Sequence, residues 1–556
     1  MSIDSKVSEL LAKMTLEEKA GMLFHTMIMM GDGSAMGVES NEDMVLGKHM
    51  NHFNLFGSAS AAEMATWYNN LQDLAKQTRL GIPVTISTDP RHHFSDNPFS
   101  SMLSGPFSQW PEPTGLAATR DAELVERFAD IARQEYLAAG IRVSLHPQID
   151  LATEPRWARI NHTFGEDAAL TSELVRAYIR GFQGETLGAH SVSTMTKHFP
   201  GGGPQLDGED PHFPYGREQV YPGGQFDYHL QPFLAALEAG GSQIMPYYGM
   251  PVGTAYEEVG FGFNKAILTG LLREKLGFDG IICTDWGLVT DAEVFGQTFH
   301  ARAWGVEHLS RLDRVHKIVE AGADQLGGEA CPDLIVELVK AGRITEERLN
   351  TSVARLLREK FALGLFDNPY VDVAKAEETI GRQDFMAAGF EAQKASLTLL
   401  KNEGVLPLRA QNVYGEGIDG SVDSPEEAEV AIIRLKAPFE PREGALESFF
   451  HAGTLEFPEE IVEHVAAVAA KCPVVLDIYL DRPAILTPLV PHAAAIIVNY
   501  GAQEEALKDV LFGRSSPKGK LPFDLPSSMQ AVTESRSDVA FDTKDPLYAF
   551  GFGLTY

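Results

Sequence analysis

The chain has 556 residues, of which 44% are hydrophobic, 22% charged and 9% aromatic. These globular values exclude a disordered or collagen-like chain; at about 150 residues per domain, or about 250 for a single (β/α)8 barrel, the length suggests two domains, one large and one medium. Against 46 Lys+Arg stand 77 Asp+Glu, a net charge of −31, which repels phosphate backbones and anionic membranes and leaves neutral or cationic small molecules as partners.

From Val7 to Ala20 the apolar residues follow helical spacing, with a T-x-x-E capping box at Thr15 and Glu18. The opening segment lacks the basic and apolar regions of a leader peptide. No apolar run is long enough to span a membrane. Met27 to Met30 reads as a buried segment entering the loop Gly31-Asp32-Gly33. Strands are predicted at 82–86, 141–145, 191–195, 243–245 and 280–283, alternating with helices at 121–139, 170–186, 226–239 and 264–276. Such alternation builds parallel βα units, and their number fits a barrel better than an open sheet. A long helix at 345–364 is broken by Phe366-Asp-Asn-Pro-Tyr370, a polar stretch runs to Asp384, and another helix covers 385–400. A second α/β pattern follows, with strands at 430–433, 474–479 and 495–498 and a helix at 457–471. The fold class expected is α/β: a (β/α)8 TIM-like barrel at 1–370, a linker and helix at 371–400, and an α/β sandwich domain at 401–556. Cys283, Cys331 and Cys472 lie far apart with no CxxC pair, which points to a reducing compartment and a cytoplasmic protein.

Barrel enzymes carry their chemistry where strands end. Asp89 and His92-His93 follow the first predicted strand, and His146, Asp150, Glu154 and Arg159 the second. Lys197-His198 precedes Gly201-Gly-Gly203; Tyr247-Tyr248 and Asp285-Trp286 follow the last two strands. A carboxylate beside a Trp, with Lys, His and Arg converging, suits a polyhydroxylated ligand, and an ionised Asp can attack an acetal carbon. Taken singly, each has a plainer reading: a strand-end Asp is often a helix cap, and a lone Trp is often core. Adjacent histidines point different ways and have no third ligand at suitable spacing, so no metal is expected. The glycines lack a phosphate-binding fingerprint and read as a loop passing close to a ligand. No cofactor is expected.

These residues resemble glycoside hydrolase family 3, above all its two-domain β-glucosidases, over almost the whole chain. Gly277-Phe-Asp-Gly-Ile-Ile-Cys-Thr-Asp285-Trp-Gly287 is similar to the nucleophile motif, with Thr284 where Ser is usual. Asp150-Leu-Ala-Thr-Glu-Pro-Arg-Trp-Ala-Arg159 with Phe164-Gly-Glu-Asp167, the Lys197-His198-Phe199 run, and the segments 342–366, 511–522 and 550–556 resemble further family motifs. The resemblance implies that Asp285 is the nucleophile of a retaining hydrolysis, and that Asp89, Arg159, Lys197, His198 and Tyr248 hold the sugar beside Trp286. Its acid/base is a Glu of the second domain. The usual Glu-Gly-x-Asp-Arg pattern is missing after Val430–Ile433, so Glu440 is the choice, with Glu443 next and Glu447 third. Lys197-His-Phe-Pro-Gly-Gly-Gly…Asp210-Pro-His212 also resembles the loop of the family's β-N-acetylglucosaminidases, K-H-F-P-G-H-G…D-S-H, whose Asp-His pair is the acid/base. Here Gly202 stands at the second His, and His212 is the runner-up acid/base. The activity implied is an exo-acting β-glucosidase on a small-molecule or oligosaccharide β-glycoside, with no nucleic-acid or membrane partner and a homo-oligomer left open. The alternatives are an N-acetylglucosaminidase-like, transglycosylating or phosphorolytic enzyme, or a sugar-binding protein that has lost catalysis.

Overall fold

The computed structural model describes residues 2–31, 33–294 and 296–556. Eight strands form one ring: β1 Phe24–Met29, β2 His52–Phe56, β3 Thr85–Thr88, β4 Ile141–Ser144, β5 Ser193–Phe199, β6 Gln243–Pro246, β7 Ile281–Ile282 and β8 Leu326–Gly327. They are neighbours in chain order, and all pairs are parallel. A parallel bridge between Cys283 and Gln325 closes the ring, with the Thr284 N–H donating to the Gln325 carbonyl at 3.0 Å. The barrel expected from the sequence is therefore complete.

Helices between the strands present one apolar face to the barrel and begin at side-chain caps. Asp121 accepts from Leu124 N–H, Asp167 from Leu170 N–H and Thr345 from Arg348 N–H. The helix expected over 7–20 is two, Ile3–Leu11 and Leu16–Met22, because the Thr15–Glu18 capping box starts the second. The segment 27–30 expected to run into a loop belongs largely to β1; Asp32 lies outside the described residues. The helix expected over 385–400 stops at Ser396, and Thr398–Asn402 is a strand.

That strand, β9, begins the second sheet, with β10 Val413–Glu416, β11 Val430–Lys436, β12 Val474–Tyr479 and β13 Ala495–Asn499. The order is β9-β13-β12-β11-β10, parallel except for β9 against β13. Of residues 371–400, helices Val373–Thr379 and Gln383–Ser396 precede β9.

The barrel floor is sealed by two adjacent residues of the helix Glu346–Ala362. Lys360 donates to the Asn51 carbonyl (3.0 Å), the Pro83 carbonyl (2.9 Å) and Thr85 Oγ1 (2.6 Å). Glu359 accepts from Ser193 Oγ (3.0 Å) and Gln243 Nε2 (2.5 Å). The two domains are joined by buried polar contacts. Arg482 donates to the Arg156 carbonyl of the barrel at 2.7 Å and to the Pro438 carbonyl of its own domain at 2.7 Å. Glu166, next to the Asp167 cap, accepts the N–H groups of Asp524 (2.7 Å) and Phe541 (2.9 Å).

Burial raises the Glu166 carboxyl to about 8, against an ordinary 4.5. The folded chain then keeps a proton that the unfolded chain releases. Its contribution to stability is complete below about 4.5 and is lost as pH rises through about 8. Glu166→Gln removes this term. The stability of the native chain relative to the variant is expected to fall steadily across that range in denaturant titrations, and a pH-independent difference would contradict it.

Candidate active site

A cavity of about 210 Å³ opens at the carboxyl ends of the barrel strands. Asp285 and all six predicted sugar-holding residues (Asp89, Arg159, Lys197, His198, Tyr248 and Trp286) line it. β3 ends just before Asp89, β5 carries Lys197 and His198, and Asp285 follows β7, so the ring brings residues nearly 200 positions apart onto one rim.

The carboxylates differ in what they are bound to. Asp89 accepts from Asn54 Nδ2 at 3.0 Å through Oδ2 and from Lys197 Nζ at 3.2 Å through Oδ1. Asp285 Oδ1 accepts its neighbour's Trp286 N–H at 2.8 Å. Its Oδ2 is buried without a hydrogen-bond partner, 3.8 Å from His198 Nε2. Burial pushes the Lys197 ammonium down, opposed by the facing Asp89 and Asp285 carboxylates.

His198 is fixed at both nitrogens. Its Nδ1 faces Asp150 Oδ2 at 2.8 Å, and its Nε2 faces Arg159 Nη1 at 3.1 Å. A guanidinium only donates, so Nε2 is the acceptor and the ring proton sits on Nδ1, donated to Asp150. Burial, then Arg159, push His198 well below the ordinary histidine value, which keeps it neutral. Arg159 is held in turn by Gln148 Oε1 at 3.1 Å. Tyr248 donates its O–H to the Trp286 carbonyl at 2.8 Å, and Arg302 Nη2 reaches the same carbonyl at 2.5 Å. Burial, and next the Asp285 charge, keep the Tyr248 phenol protonated.

The acid/base candidates are placed differently from the sequence expectation. Glu440 is exposed on the second-domain loop, its Oε1 accepting the Thr454 N–H at 3.0 Å, and it does not line the cavity. The loop turns back on itself there, with the Glu440 N–H donating to the Ala452 carbonyl at 2.9 Å. Glu443 is also exposed, and the Glu447 carboxylate lies against Gly444; neither lines the cavity. His212 does. Its Nδ1 meets Asp210 Oδ1 at 2.5 Å, and Asp210 Oδ2 accepts from Trp157 Nε1 at 3.1 Å. Burial lowers the His212 ring below 6.5, opposed by Asp210; burial would raise Asp210, but His212 outweighs it and holds that carboxyl below 3.8.

Asn54 and Arg302 were not singled out as site residues from the sequence. Asn54 was recoverable: it sits in His52-Phe-Asn-Leu-Phe56, a short apolar run of strand type. His92 and His93 bind Glu135 Oε2 (2.9 Å) and the Pro111 carbonyl (2.7 Å), away from the cavity.

The profile described as Glycosyl hydrolase family 3 N terminal domain matches residues 4–359, and that described as Glycosyl hydrolase family 3 C-terminal domain matches residues 415–556. The chain belongs to glycoside hydrolase family 3 and is built as one of its two-domain enzymes. It is 52% identical over 574 residues to Probable beta-glucosidase C of Aspergillus oryzae, covering all of this chain and 90% of that protein. It is 40% identical over 590 residues to the Periplasmic beta-glucosidase/beta-xylosidase of Dickeya chrysanthemi, covering 99% of this chain and 90% of that one. Among solved structures, β-glucosidase from Listeria innocua in complex with isofagomine shares the fold, with a TM-score of 0.78 at 22% identity over 99% of this chain and 83% of that one.

Gly202 marks where this chain parts from the N-acetylglucosaminidase loop. Its N–H donates to Asp150 Oδ1 at 2.5 Å, and a Cβ there would lie 2.5 Å from the Tyr247 ring and 3.0 Å from Asp150 Oδ1. No histidine side chain fits. Tyr247 packs on His198 with ring centres 4.3 Å apart. Gly202→Ala is therefore expected to shift Tyr247 and loosen the Asp150–His198 pair, lowering kcat/KM for an aryl glycoside about tenfold, or about 1.4 kcal/mol. Unchanged kinetics would show that this packing does not set the ring.

Proposed function

We propose that the protein is a retaining, exo-acting β-glucosidase that removes terminal β-D-glucosyl residues through a covalent intermediate on Asp285. The observation that carries this reading is the unpartnered Asp285 Oδ2, buried among Arg159, Lys197 and His198. An oxygen with no hydrogen bond to break is placed to attack the anomeric carbon. Asp89, Lys197 and the His198–Arg159 pair would hold the sugar hydroxyls, and Trp286 would cover the ring and the aglycone. The reading takes its substrate from the relatives named for β-glucosidase activity.

For the acid/base we propose His212 in place of Glu440. His212 shares the cavity with Asp285, its Nδ1 is pinned by Asp210, and its Nε2 forms no protein hydrogen bond among the described residues. The protonated ring would give its Nε2 proton to the departing oxygen, and the neutral ring would then take a proton from water. The room denied to a histidine at Gly202 supports glucoside over N-acetylglucosaminide chemistry. Three unpaired, buried cysteines support a reducing, cytoplasmic compartment.

Asp285→Ala is expected to abolish turnover of an aryl β-glucoside, and full activity would sink the proposal. A subtler measurement separates the acid candidates. His212→Ala should lose about 10²–10⁴-fold in kcat/KM for cellobiose, whose leaving group needs a proton. A dinitrophenyl glucoside needs none and should keep its kcat/KM. If Glu440→Ala, Glu443→Ala or Glu447→Ala shows that split instead, with rescue by azide, His212 is not the acid.

A further inference from the structure

A second cavity lies back to back with the pocket of Asp285. It measures about 730 Å³ and shares no lining residue with that pocket. One loop divides them: Ser95, Asp96 and Asn97 face the second cavity, while Pro98 and Phe99 face the first. Asn97 Nδ2 donates to the Phe449 carbonyl at 3.0 Å, and the Phe99 and Phe449 rings meet at 5.9 Å, which completes the partition. The second cavity opens where β11, β12 and β13 end, with Arg434, Asp477 and Asn499 on its wall. The crevice beyond the carboxyl ends of parallel strands is where open α/β sheets bind ligands.

Its wall holds polar atoms that the protein leaves unused. His162 is 5% exposed; its Nε2 meets Ser95 Oγ at 3.1 Å, but its Nδ1 has no partner. Asp481 Oδ2 binds His451 Nδ1 at 2.6 Å, and its Oδ1 is buried with no partner. Arg434 and Lys436 stand against Asp96, Asp477 and Asp481 in the wall. Arg434 Nε pairs with Asp477 Oδ2 at 2.7 Å, Asn499 Nδ2 donates to Asp477 Oδ1 at 2.7 Å, and the remaining Lys436 and Asp96 are of opposite sign. No cationic surplus is left to select an anion. Phe439 lies flat on His451, 3.8 Å between centres and 5° between planes, and is still 37% exposed. One aromatic face is therefore covered and the other is open to a ligand.

An apolar platform, an orphaned carboxylate oxygen and an orphaned imidazole nitrogen around a cavity with no cationic surplus fit an uncharged polyol. We propose that this cavity between the domains is a second, noncatalytic site for a neutral saccharide. The glycosidase reading supplies only the choice of probe.

The test is calorimetric titration with cellobiose of the protein saturated with isofagomine, which blocks the Asp285 pocket. The heat of isofagomine binding reports on that pocket alone, so a failure of the glycosidase reading registers there and not in the cellobiose step. One further saturable site per chain is expected. Phe439→Ala and His451→Ala should each weaken it at least about tenfold while kcat/KM for an aryl β-glucoside stays within about twofold. Absence of cellobiose binding to the blocked protein overturns the proposal, as does undiminished binding by Phe439→Ala. Binding of inorganic phosphate in place of cellobiose would also overturn it, because the site would then select an anion.

Discussion

A guanidinium buried at a domain junction needs acceptors for its N–H groups, and the Nη atoms of Arg482 find them on both sides. Nη1 donates to the Arg156 carbonyl of the barrel at 2.7 Å and to the Gly453 carbonyl at 3.2 Å; Nη2 donates to Pro438 (2.7 Å) and Thr454 (3.0 Å). Burial pushes it down to about 10, which leaves it cationic at neutral pH. A charge withdrawn from water in this way is tolerable only while those carbonyls stay in place. Pro438 on one side and Gly453 and Thr454 on the other are the two ends of one loop, so Arg482 ties the loop shut at its base and, through Arg156, presses it on the barrel. Two consequences follow. The carboxylate of Glu440 is turned back toward Thr454, and Phe450 is seated against His212 with ring centres 4.7 Å apart. The second domain thus shapes the barrel mouth by packing, without placing a glutamate in the cavity.

The same economy of partners sorts the carboxylates of the site. Asp89 spends both oxygens on Asn54 and Lys197, and Asp150 is taken up by His198 and Gly202. Of these three, Asp285 alone keeps an oxygen without a hydrogen-bond partner among the described residues. Position on the ring accounts for this: Asp89 is met by donors on β2 and β5 and Asp150 by donors on β5 and the loop that follows it, whereas the backbone N–H after Asp285 reaches only one of its oxygens.

Much of this was legible in the sequence because strand ends carry the polar residues and strand interiors are apolar. Lys197-His198 and Asp285-Trp286 could be assigned to rims for that reason. The strands that escaped notice have weak patterns. β1 is Phe-His-Thr-Met-Ile-Met, with few β-branched residues, and β8 has only two residues. Missing β2 meant missing Asn54. The acid/base posed a different difficulty. Counting residues after β11 leads to Glu440, but the direction of that side chain is set by Arg482, some 40 positions later, through carbonyls that carry no side-chain signature. The importance of Glu166 was likewise hidden, since its partners are backbone N–H groups more than 350 residues away.

The sealed floor has a further implication. Lys360 and Glu359 close the bottom of the barrel, and Val143, Leu145, Met195, Met245 and Cys283 fill its interior. The cavity above is closed from below, and its doorway lies on the strand-end side. A glycosyl unit held there would leave, and the water that frees it would arrive, from that side. In the proposed retaining reaction the leaving group departs first, water enters second, and the freed sugar leaves last.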